Sequence, residues 1–393
     1  MQTAWFIAAR LLRRRGTALL RTSALAALLA VTLGAASLVV VLALMSGYSA
    51  ALREGVLSAS GHLVILAPPG RSADQIAGST VRIAAVPGVA RVGAVIYLPG
   101  MLFPRGGGGA ELVSVRGAAS PPPFVHLPES DEAGPLVIAL GSGVARRLSA
   151  REGDVLSLQV VTGGAPRAVP VRVGQVFSTG FAELDERFVM TGIKGLNRRL
   201  PAVPGGGLEV WLSDPDRAEE LRERVEAACG GGAIATTWQE RNRNLFAALR
   251  WQKLSLGLVL SLVLGVGAFE VASALVVLVT EKRREFGVLL AIGGPPRLVR
   301  RTLLLAGGVL GGTGVLAGMG LGVFVVALLT ALGIPHFSPD IARIYMVDKI
   351  PLRLLPGDLA VVLGLSMIEV LAAALLPAVR ASRREPVEVL RWV

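Results

Sequence analysis

Four long apolar runs constrain this chain of 393 residues more than any other feature. They extend over Thr22–Leu44, Leu254–Thr280, Thr302–Leu332 and Asp358–Val379. A helix rises about 1.5 Å per residue, so each run is long enough to cross a hydrocarbon layer of about 30 Å. The sequence therefore predicts an integral membrane protein with four spans.

The placement of basic residues predicts how these spans are oriented, because Lys and Arg beside short membrane-flanking segments stay on the cytoplasmic side. Residues 1–21, 281–301 and 380–393 together hold 15 of the 40 basic residues but only 4 of the 28 acidic ones. They therefore carry +11 of the formal net charge of +12. We expect all three segments to be cytoplasmic, and the basic character does not favour nucleic-acid binding.

The first run also follows Arg13–Arg15, as the apolar part of a cleavable secretory signal would. Such a part usually has about 7–15 apolar residues, and this run is longer, which favours an uncleaved anchor. The predicted order is a basic N-terminus (1–21), a first span (22–46), a periplasmic domain (47–250), a second span (251–280), a cytoplasmic loop (281–301), a third span (302–332), a periplasmic loop (333–357), a fourth span (358–379) and a cytoplasmic tail (380–393).

The long segment between the first two spans has a globular composition and is large enough to bury a core of its own. Alternating or apolar stretches predict strands at His62–Leu66, Val92–Leu98, Glu111–Arg116, Asp154–Val161, Val169–Val176 and Leu208–Leu212. Three-to-four spacing of apolar residues predicts helices at Ser72–Val86 and Asp214–Ala228, the second capped by Ser213 or Asp214 with Pro215 in its first turn. We expect an α+β domain.

Catalytic and metal chemistry find no support in the residue patterns. Cys229 is the sole cysteine, and the three histidines, at 62, 126 and 336, lack partners at metal-ligand spacing. Neither a Gly-x-Ser-x-Gly elbow nor a phosphate-binding G-x-x-x-x-G-K-[ST] loop occurs. We therefore expect no catalytic residues, metal or cofactor in this chain, and any ATP and Mg²⁺ would be bound by a partner.

The spans themselves contain two kinds of unusual residue. The third has many glycines at small-xxx-small spacing, which favours close helix packing over a merely flexible helix: Gly307, Gly308, Gly311, Gly312, Gly314, Gly318, Gly320 and Gly322. Glu270 in the second span and Glu369 in the fourth are carboxylates where a charge is costly, so each is a functional candidate. A structural polar contact between helices is the alternative for both.

The loop between the second and third spans combines charge with apolar side chains and a Gly-Pro break, which predicts a charged helix extension, a turn and a basic restart. Its apolar residues suggest docking on a protein, and an anchor for anionic lipid headgroups is the alternative. The candidate residues are Glu281, Lys282, Arg283, Arg284, Glu285, Phe286, Leu289, Leu290, Gly293 and Pro295.

Several short motifs, in order along nearly the whole chain, resemble those of the lipoprotein-releasing (Lol-type) permeases within the MacB-like and FtsX-like class of ABC transporters. They are Phe6–Arg13, Leu44–Tyr48, Phe177–Asp185, Trp238–Leu249, the Glu281–Gly293 loop, Leu376–Ser382 and Pro386–Arg391. The resemblance implies the MacB-like (type VII) architecture of one span, a large periplasmic domain and three spans, in the bacterial inner membrane.

The resemblance also implies a mechanism. Two permease chains, identical or related, would pair with a dimer of separate ATPase subunits that contacts the 281–297 loop. ATP hydrolysis would then drive extraction of a lipoprotein from the outer leaflet and its transfer to a periplasmic carrier. Its acyl chains would lie between the first and second spans of the two chains, against Leu38, Leu42, Met45, Tyr48, Trp251, Leu254, Leu258 and Phe269. Ordinary lipid-facing or helix-packing roles are the alternative for each of these residues.

Two departures from the family pattern leave other functions open. Glu270 stands where a smaller neutral polar residue is expected, and the segment Val161–Pro170 is short where carrier-recruiting members have a longer hook. The alternatives are a mechanotransmitting regulator of a periplasmic partner, such as a cell-wall hydrolase, and a MacB-like efflux component. In each case the amphipathic stretch Trp238–Trp251 leads into the second span and is placed to transmit motion.

Overall fold

The computed structural model describes residues 5–7, 18–66, 78–105, 109–120, 122, 124–127, 134–162, 165–179, 182–200, 206–230, 232–332 and 352–382. Internal contacts divide the chain into two units. The first, which we call the bundle, comprises residues 1–48, 247–335 and 350–393. The second, which we call the mixed domain, comprises residues 49–246 and 336–349.

Four helices among the described residues are long and apolar enough to cross a membrane, as the sequence predicts. We call them span 1 (Ala18–Ala59), span 2 (Arg243–Glu281), span 3 (Pro296–Ala331) and span 4 (Pro356–Ser382). Spans 1 and 2 are longer than their apolar runs, because the polar residues that end a run do not interrupt helical hydrogen bonding. The basic tail beyond Ser382 and most of the N-terminal segment lie outside the described residues.

Most of the glycines of span 3 pack against neighbouring helices, which confirms the packing interpretation for them, whereas an added Cβ at Gly320 would have nothing within 4 Å among the described residues. Gly307 and Gly311 face span 4, where an added Cβ at Gly307 would stand 2.9 Å from the Cβ of Ala374. Gly318 and Gly322 face span 1, where an added Cβ at Gly322 would stand 2.7 Å from the Cβ of Val39. These distances leave no room for a side chain. Span 3 is therefore in contact with both span 1 and span 4 at backbone distance.

The mixed domain contains a closed six-stranded β-barrel. Its strands are part of β2 (Val89–Pro104) together with β3 (Glu111–Ala118), β4 (Leu136–Gly141), β5 (Val155–Thr162), β6 (Ala165–Phe177) and β7 (Phe188–Gly192). The pairings run β2–β3, β3–β7, β7–β4, β4–β6, β6–β5 and β5–β2, which closes the circle. Apolar side chains from all six strands fill the interior.

A four-stranded sheet extends from the first half of β2. In it, β8 (Gly206–Leu212) pairs with β2, β1 (Leu63–Leu66) pairs with β8, and β9 (Ile234–Thr237) pairs with β1, all antiparallel. The domain also has helices α1 (Thr80–Ala84), α2 (Ser142–Leu148), α3 (Ala182–Arg187), α4 (Ile193–Arg199), α5 (Ala218–Cys229) and α6 (Trp238–Arg241). The predicted α+β class is confirmed.

The six predicted strands are confirmed, and three further strands, β4, β7 and β9, were not predicted. All six residues of β4 are buried, so it has no polar alternation to mark it. The helix predicted after Asp214 is confirmed as a 3₁₀ turn, Pro215–Arg217, followed by α5, and Asp214 accepts a hydrogen bond from the amide of Asp216. The predicted helix Ser72–Val86 is described only from residue 78, and there only Thr80–Ala84 is α-helical.

Candidate functional site

The loop between spans 2 and 3 has the three parts that the sequence predicts. A helix at Arg283–Ala291 follows span 2 almost directly, and the chain turns at Gly293, whose φ of +92° favours glycine. Span 3 then begins at Pro296, after Pro295 in an extended conformation. We call Arg283–Ala291 the coupling helix. Lys282 forms an ion pair with Glu285 at 2.8 Å on its first turn.

The apolar residues of the coupling helix do not all face outward, which corrects the sequence interpretation. Phe286 is only 7% exposed and lies in the core of the bundle, and Leu289 and Leu290 pack against that core. The apolar side chains left exposed are Val288 and Ile292, the latter at 77%. Helical periodicity explains the division, because residues 286, 289 and 290 share one face. A partner that docked here would meet Val288 and Ile292.

Exposed basic residues lie near these two side chains in the sequence. Arg284 is exposed on the coupling helix, and Arg297 and Arg300 are exposed on the first turns of span 3. The turn residues Gly293 and Pro295 are exposed as well. This segment therefore offers both exposed apolar side chains and exposed positive charge.

The eight residues predicted to line a substrate site fall into two groups. Leu38 and Leu42 are 1% and 6% exposed and are buried in a cluster with Val39 and Val362. They face the interior of the bundle because span 1 turns the same side towards the glycines of span 3. Met45 and Tyr48 are half-buried. Leu38 and Leu42 are therefore inaccessible in this conformation of the single chain, and their role in a substrate site stays a prediction.

The other predicted substrate residues lie on an exposed stripe of span 2. Their spacing of three, four and seven places them on one helical face with further apolar residues that the sequence analysis did not select. We call this face the span 2 stripe; it consists of Trp251, Leu254, Leu258, Leu262, Val266 and Phe269. An exposed face this apolar, on a helix that can cross a membrane, is open to acyl chains or to a second chain.

The two carboxylates in the spans have different surroundings. Glu270 is exposed, next to Phe269 on the span 2 stripe. Glu369 accepts a hydrogen bond at Oε1 from the hydroxyl of Ser261 in span 2, while its Oε2 is buried without a partner in the described part of the chain. Glu369 thus links spans 2 and 4, whereas Glu270 is exposed on span 2 about 100° round the helix from Phe269.

A polar triad that sequence reasoning missed joins three spans. Lys253 of span 2 lies 2.7 Å from Asp358 of span 4, and its Nζ also donates to the hydroxyl of Ser46 in span 1 at 2.8 Å. Ser46 in turn donates to Asp358 at 2.5 Å. The residues are far apart in sequence, so no local pattern could have indicated their contact.

The mixed domain has a buried charge cluster of its own. Arg116 and Glu209 are 1% and 0% exposed and form an ion pair, and the hydroxyl of Tyr97 donates to Glu209 at 2.5 Å. Burial alone would lower the pKa of Arg116, but the Glu209 carboxylate outweighs it and the pKa is raised. Burial, followed by the charge of Glu209, raises the pKa of Tyr97. Both shifts favour the protonated forms, the Arg116 cation and the neutral Tyr97 phenol.

Comparison with known proteins adds the following similarities. The family model of the MacB-like periplasmic core domain matches residues 24–228, and that of the FtsX-like permease C-terminal region matches residues 257–386. The lipoprotein-releasing system transmembrane protein LolC of Xylella fastidiosa (strain 9a5c) is 26% identical, over 94% of this chain and 93% of its own. LolC of Neisseria meningitidis serogroup B is 30% identical over 65% of each chain, and LolE of Haemophilus influenzae is 24% identical over 99% of each.

Among solved structures, the extracellular domain of the ABC-type transporter YknZ from Gram-positive bacteria covers 44% of this chain and 98% of its own. The sequence identity is 14% and the TM-score is 0.30, which is too low to support an argument about the fold.

Proposed function

Since the chain belongs to the family of permeases with a MacB-like periplasmic core domain and an FtsX-like C-terminal region, we propose that it is the membrane subunit of an ABC transporter that releases lipoproteins from the inner membrane. The observation that carries the proposal is similarity to LolC proteins over more than nine tenths of both chains. The family assignment makes it an ABC transporter permease and a multi-pass membrane protein with a periplasmic domain. The cargo, the partners and the mechanism are the proposal.

ATP hydrolysis would be performed by a separate ATPase dimer that docks on the coupling helix. Val288 and Ile292 are exposed there, and the same segment has the exposed arginines Arg284, Arg297 and Arg300. Such a surface fits a shallow apolar groove with acidic edges on the ATPase. Phe286, Leu289 and Leu290, which join the coupling helix to the core of the bundle, would pass its displacement into the spans.

The lipoprotein's acyl chains would lie on the span 2 stripe, between this chain and a second permease chain, identical or related. Removing acyl chains from a bilayer costs about 0.8 kcal/mol per CH₂, so extraction needs an apolar reception surface and an energy source. The exposed side chains from Trp251 to Phe269 supply an apolar surface along most of a span. Leu38 and Leu42 would contribute only if span 1 turned or separated from span 3.

Transfer to a soluble periplasmic carrier is the least supported step. The β5–β6 hairpin pairs up to Thr162 and Ala165, so two residues connect its strands. A hairpin this short offers no long protrusion for a carrier. Carrier recruitment would then depend on the second permease chain or on another surface of the mixed domain.

The test is to purify the nucleotide-free complex through this chain and to identify bound lipids and proteins by mass spectrometry. We expect a lipid-anchored protein that ATP releases. Replacing Leu254 and Leu258 by Asn should reduce its retention, whereas the matched replacement of Leu316 and Phe324, exposed on span 3, should not.

Other outcomes would overturn the proposal in different directions. If only bulk phospholipid co-purifies and ATP releases nothing, lipoprotein release is wrong. Retention of a cell-wall hydrolase without lipid would favour the mechanotransmitting regulator. Association with an outer-membrane channel would favour MacB-like efflux.

A further inference from the structure

The triad of Ser46, Lys253 and Asp358 lies where three apolar runs of the bundle begin or end. Ser46 is two residues beyond Leu44, the last residue of the first run. Lys253 directly precedes the second run, and Asp358 opens the fourth. In the proposed topology all three are at the periplasmic end of their spans. The triad is therefore placed at the edge of the leaflet that would hold the lipoprotein's acyl chains.

A buried apolar cluster lies next to the triad on the same helical faces. In span 1, Leu42 precedes Ser46 by one helical turn, and in span 4, Val362 follows Asp358 by one turn. Each therefore shares a face with the neighbouring member of the triad. Leu42 and Val362 belong to one cluster together with Leu38. The triad thus closes the end of the cluster that contains the two inaccessible substrate candidates of span 1.

The contacts that hold this end of span 1 are hydrogen bonds. Ser46 bonds to Lys253 and to Asp358, and the backbone amide of Arg353 donates to the carbonyl of Ala43 at 3.0 Å. The strength of a hydrogen bond depends steeply on distance and angle. A small displacement of span 1 from spans 2 and 4 is therefore enough to break these contacts.

The triad is built to open at a modest cost. The side chains of Lys253 and Asp358 are 30% and 17% exposed, so water can solvate both charges when they separate. The Arg116–Glu209 pair of the mixed domain, at 1% and 0%, has no such access to water. The triad is therefore suited to a contact that forms and breaks during a transport cycle.

We propose that the triad is a latch that keeps Leu38 and Leu42 covered. While it is closed, the ends of spans 1, 2 and 4 are held together and the cluster is inaccessible. When it opens, span 1 can separate and present both leucines to acyl chains. Lys253 and Asp358 act in this as positioning residues. The inference rests on the proposed function, for which it supplies the step that gives the cargo access to span 1.

The first test follows the latch without transport, through disulfide formation between cysteines at Leu42 and Val362 in the full chain. The unaltered latch should hold the two thiols together, so we expect rapid cross-linking with a mild oxidant. Lys253→Glu places a second carboxylate against Asp358 and should lower the initial rate several-fold. Arg250→Glu makes the same change of charge at an exposed arginine three residues earlier on span 2 and should leave the rate unchanged.

A repair variant separates loss of the ion pair from general damage to the bundle. Lys253→Glu combined with Asp358→Lys restores opposite charges at the two positions and keeps a donor for Ser46. We expect it to recover most of the cross-linking rate. A repaired variant as slow as Lys253→Glu alone would show that the ion pair does not hold the latch.

The second test locks the latch in the complete transporter. Oxidation of the pair at Leu42 and Val362 should stop ATP-driven release of lipoprotein, and reduction should restore it. The control is a cysteine pair at Gly308 and Leu371, where a Cβ added to the glycine would stand 3.4 Å from Cδ2 of Leu371. This pair should release lipoprotein in both states. The native Cys229 is buried and does not compete.

The two tests distinguish failure of the latch from failure of the proposed function. If the unaltered complex releases no lipoprotein but cross-linking responds to Lys253→Glu and its repair as expected, the transport proposal is wrong and the hold of the triad on the spans is not. If release continues with the pair at Leu42 and Val362 oxidised, or stops equally in the control pair, the triad is not a latch for the cargo.

Discussion

Each unit of the chain contains a glutamate with at least one buried carboxylate oxygen, and the two glutamates have different surroundings. In the mixed domain, Glu209 has a charged partner, Arg116, and a hydroxyl donor, Tyr97, so both of its oxygens are bonded. In the bundle, Glu369 has one hydroxyl donor, Ser261, and one buried oxygen without a partner in the described residues. The carboxylate of Glu209 is therefore fully hydrogen-bonded and that of Glu369 is not, although Nη1 of Arg116 also lacks a partner in the described residues.

The difference indicates which carboxylate is structural. A buried ion pair with an added hydrogen bond is strongly weakened when one partner is removed, because the remaining charge is stranded. Removal of a carboxyl group that has no charged partner leaves no buried charge unpaired. We therefore expect Glu209 to stabilise the fold of the mixed domain. Glu369 is not needed for stability in this way, so it can serve in the movement of spans 2 and 4.

The largest expected effect is on the Arg116–Glu209 pair. Replacing Glu209 by Leu leaves the Arg116 cation buried, and we expect a loss of about 3–5 kcal/mol in the free energy of unfolding of the mixed domain. Denaturant unfolding of the full chain in detergent, followed by tryptophan fluorescence, measures it. The double change Arg116→Met with Glu209→Leu should recover most of the loss. A double variant as unstable as the single one would show that the charge is not the cause.

The next effect is on the triad that joins three spans. Lys253 and Asp358 are 30% and 17% exposed, so their pair is intermediate between a surface and a buried one. Replacing Lys253 by Met should lower the stability of the bundle by about 1–2 kcal/mol, measured by thermal unfolding in detergent. The matched control is Lys282→Met, whose partner Glu285 is only three residues away and is 48% exposed. Equal effects of the two changes would contradict a special role for the triad.

A smaller effect on stability is expected at Glu369, which lacks the charged partner that Glu209 has. Replacing it by Leu loses one hydrogen bond from Ser261, and we expect thermal stability to change by no more than about 0.5–1.5 kcal/mol. Ser261→Ala should have a similar effect. Glu369→Leu should nevertheless alter ATP-driven release if the carboxyl group is used in movement. A loss of stability as large as that of Glu209→Leu would show that the two glutamates are alike.

Local patterns in the sequence predicted much of the bundle. Apolar runs gave the four spans, small-residue spacing gave the contacts of Gly307, Gly311, Gly318 and Gly322, and Gly-Pro residues gave the break after the coupling helix. All three signals depend on neighbours within one or two helical turns. The side of span 1 that is buried was not predicted, because Leu38 and Leu42 differ in no local way from exposed leucines such as Leu29 and Leu33.

The fold of the mixed domain was harder to predict from the sequence, because it depends on contacts that no local pattern indicates. Closure of the barrel depends on β4 and β7, which lack alternation or are short. The Arg116–Glu209 pair joins residues 93 positions apart, and Ser46 and Asp358 of the triad are 312 apart. A single sequence contains no signal for such contacts, so the charged interactions that distinguish the two units appear only in the structure.

The smallest expected effect is a dependence of the stability of the mixed domain on pH. His62 is buried in the mixed domain, and its Nδ1 accepts a hydrogen bond from the amide of Leu212 at 2.9 Å. Burial lowers the pKa of His62 below its ordinary value of 6.5, and the nearby Arg241 and Arg53 lower it further. The folded state therefore binds the proton more weakly than the unfolded state, so stability is lost as the pH falls below that ordinary value.

Replacement of His62 by Asn tests this directly, because an amide oxygen can accept the Leu212 bond but does not titrate. We expect the mixed domain of the unaltered chain to unfold more easily at about pH 5.5 than at about pH 7.5, and His62→Asn to remove most of that dependence. Melting temperature across this range is the measurement, with His126→Asn, an exposed histidine of the same domain, as the control. An unchanged pH dependence in His62→Asn would assign it to other groups, and the polar contacts of the mixed domain would then be independent of pH in this range.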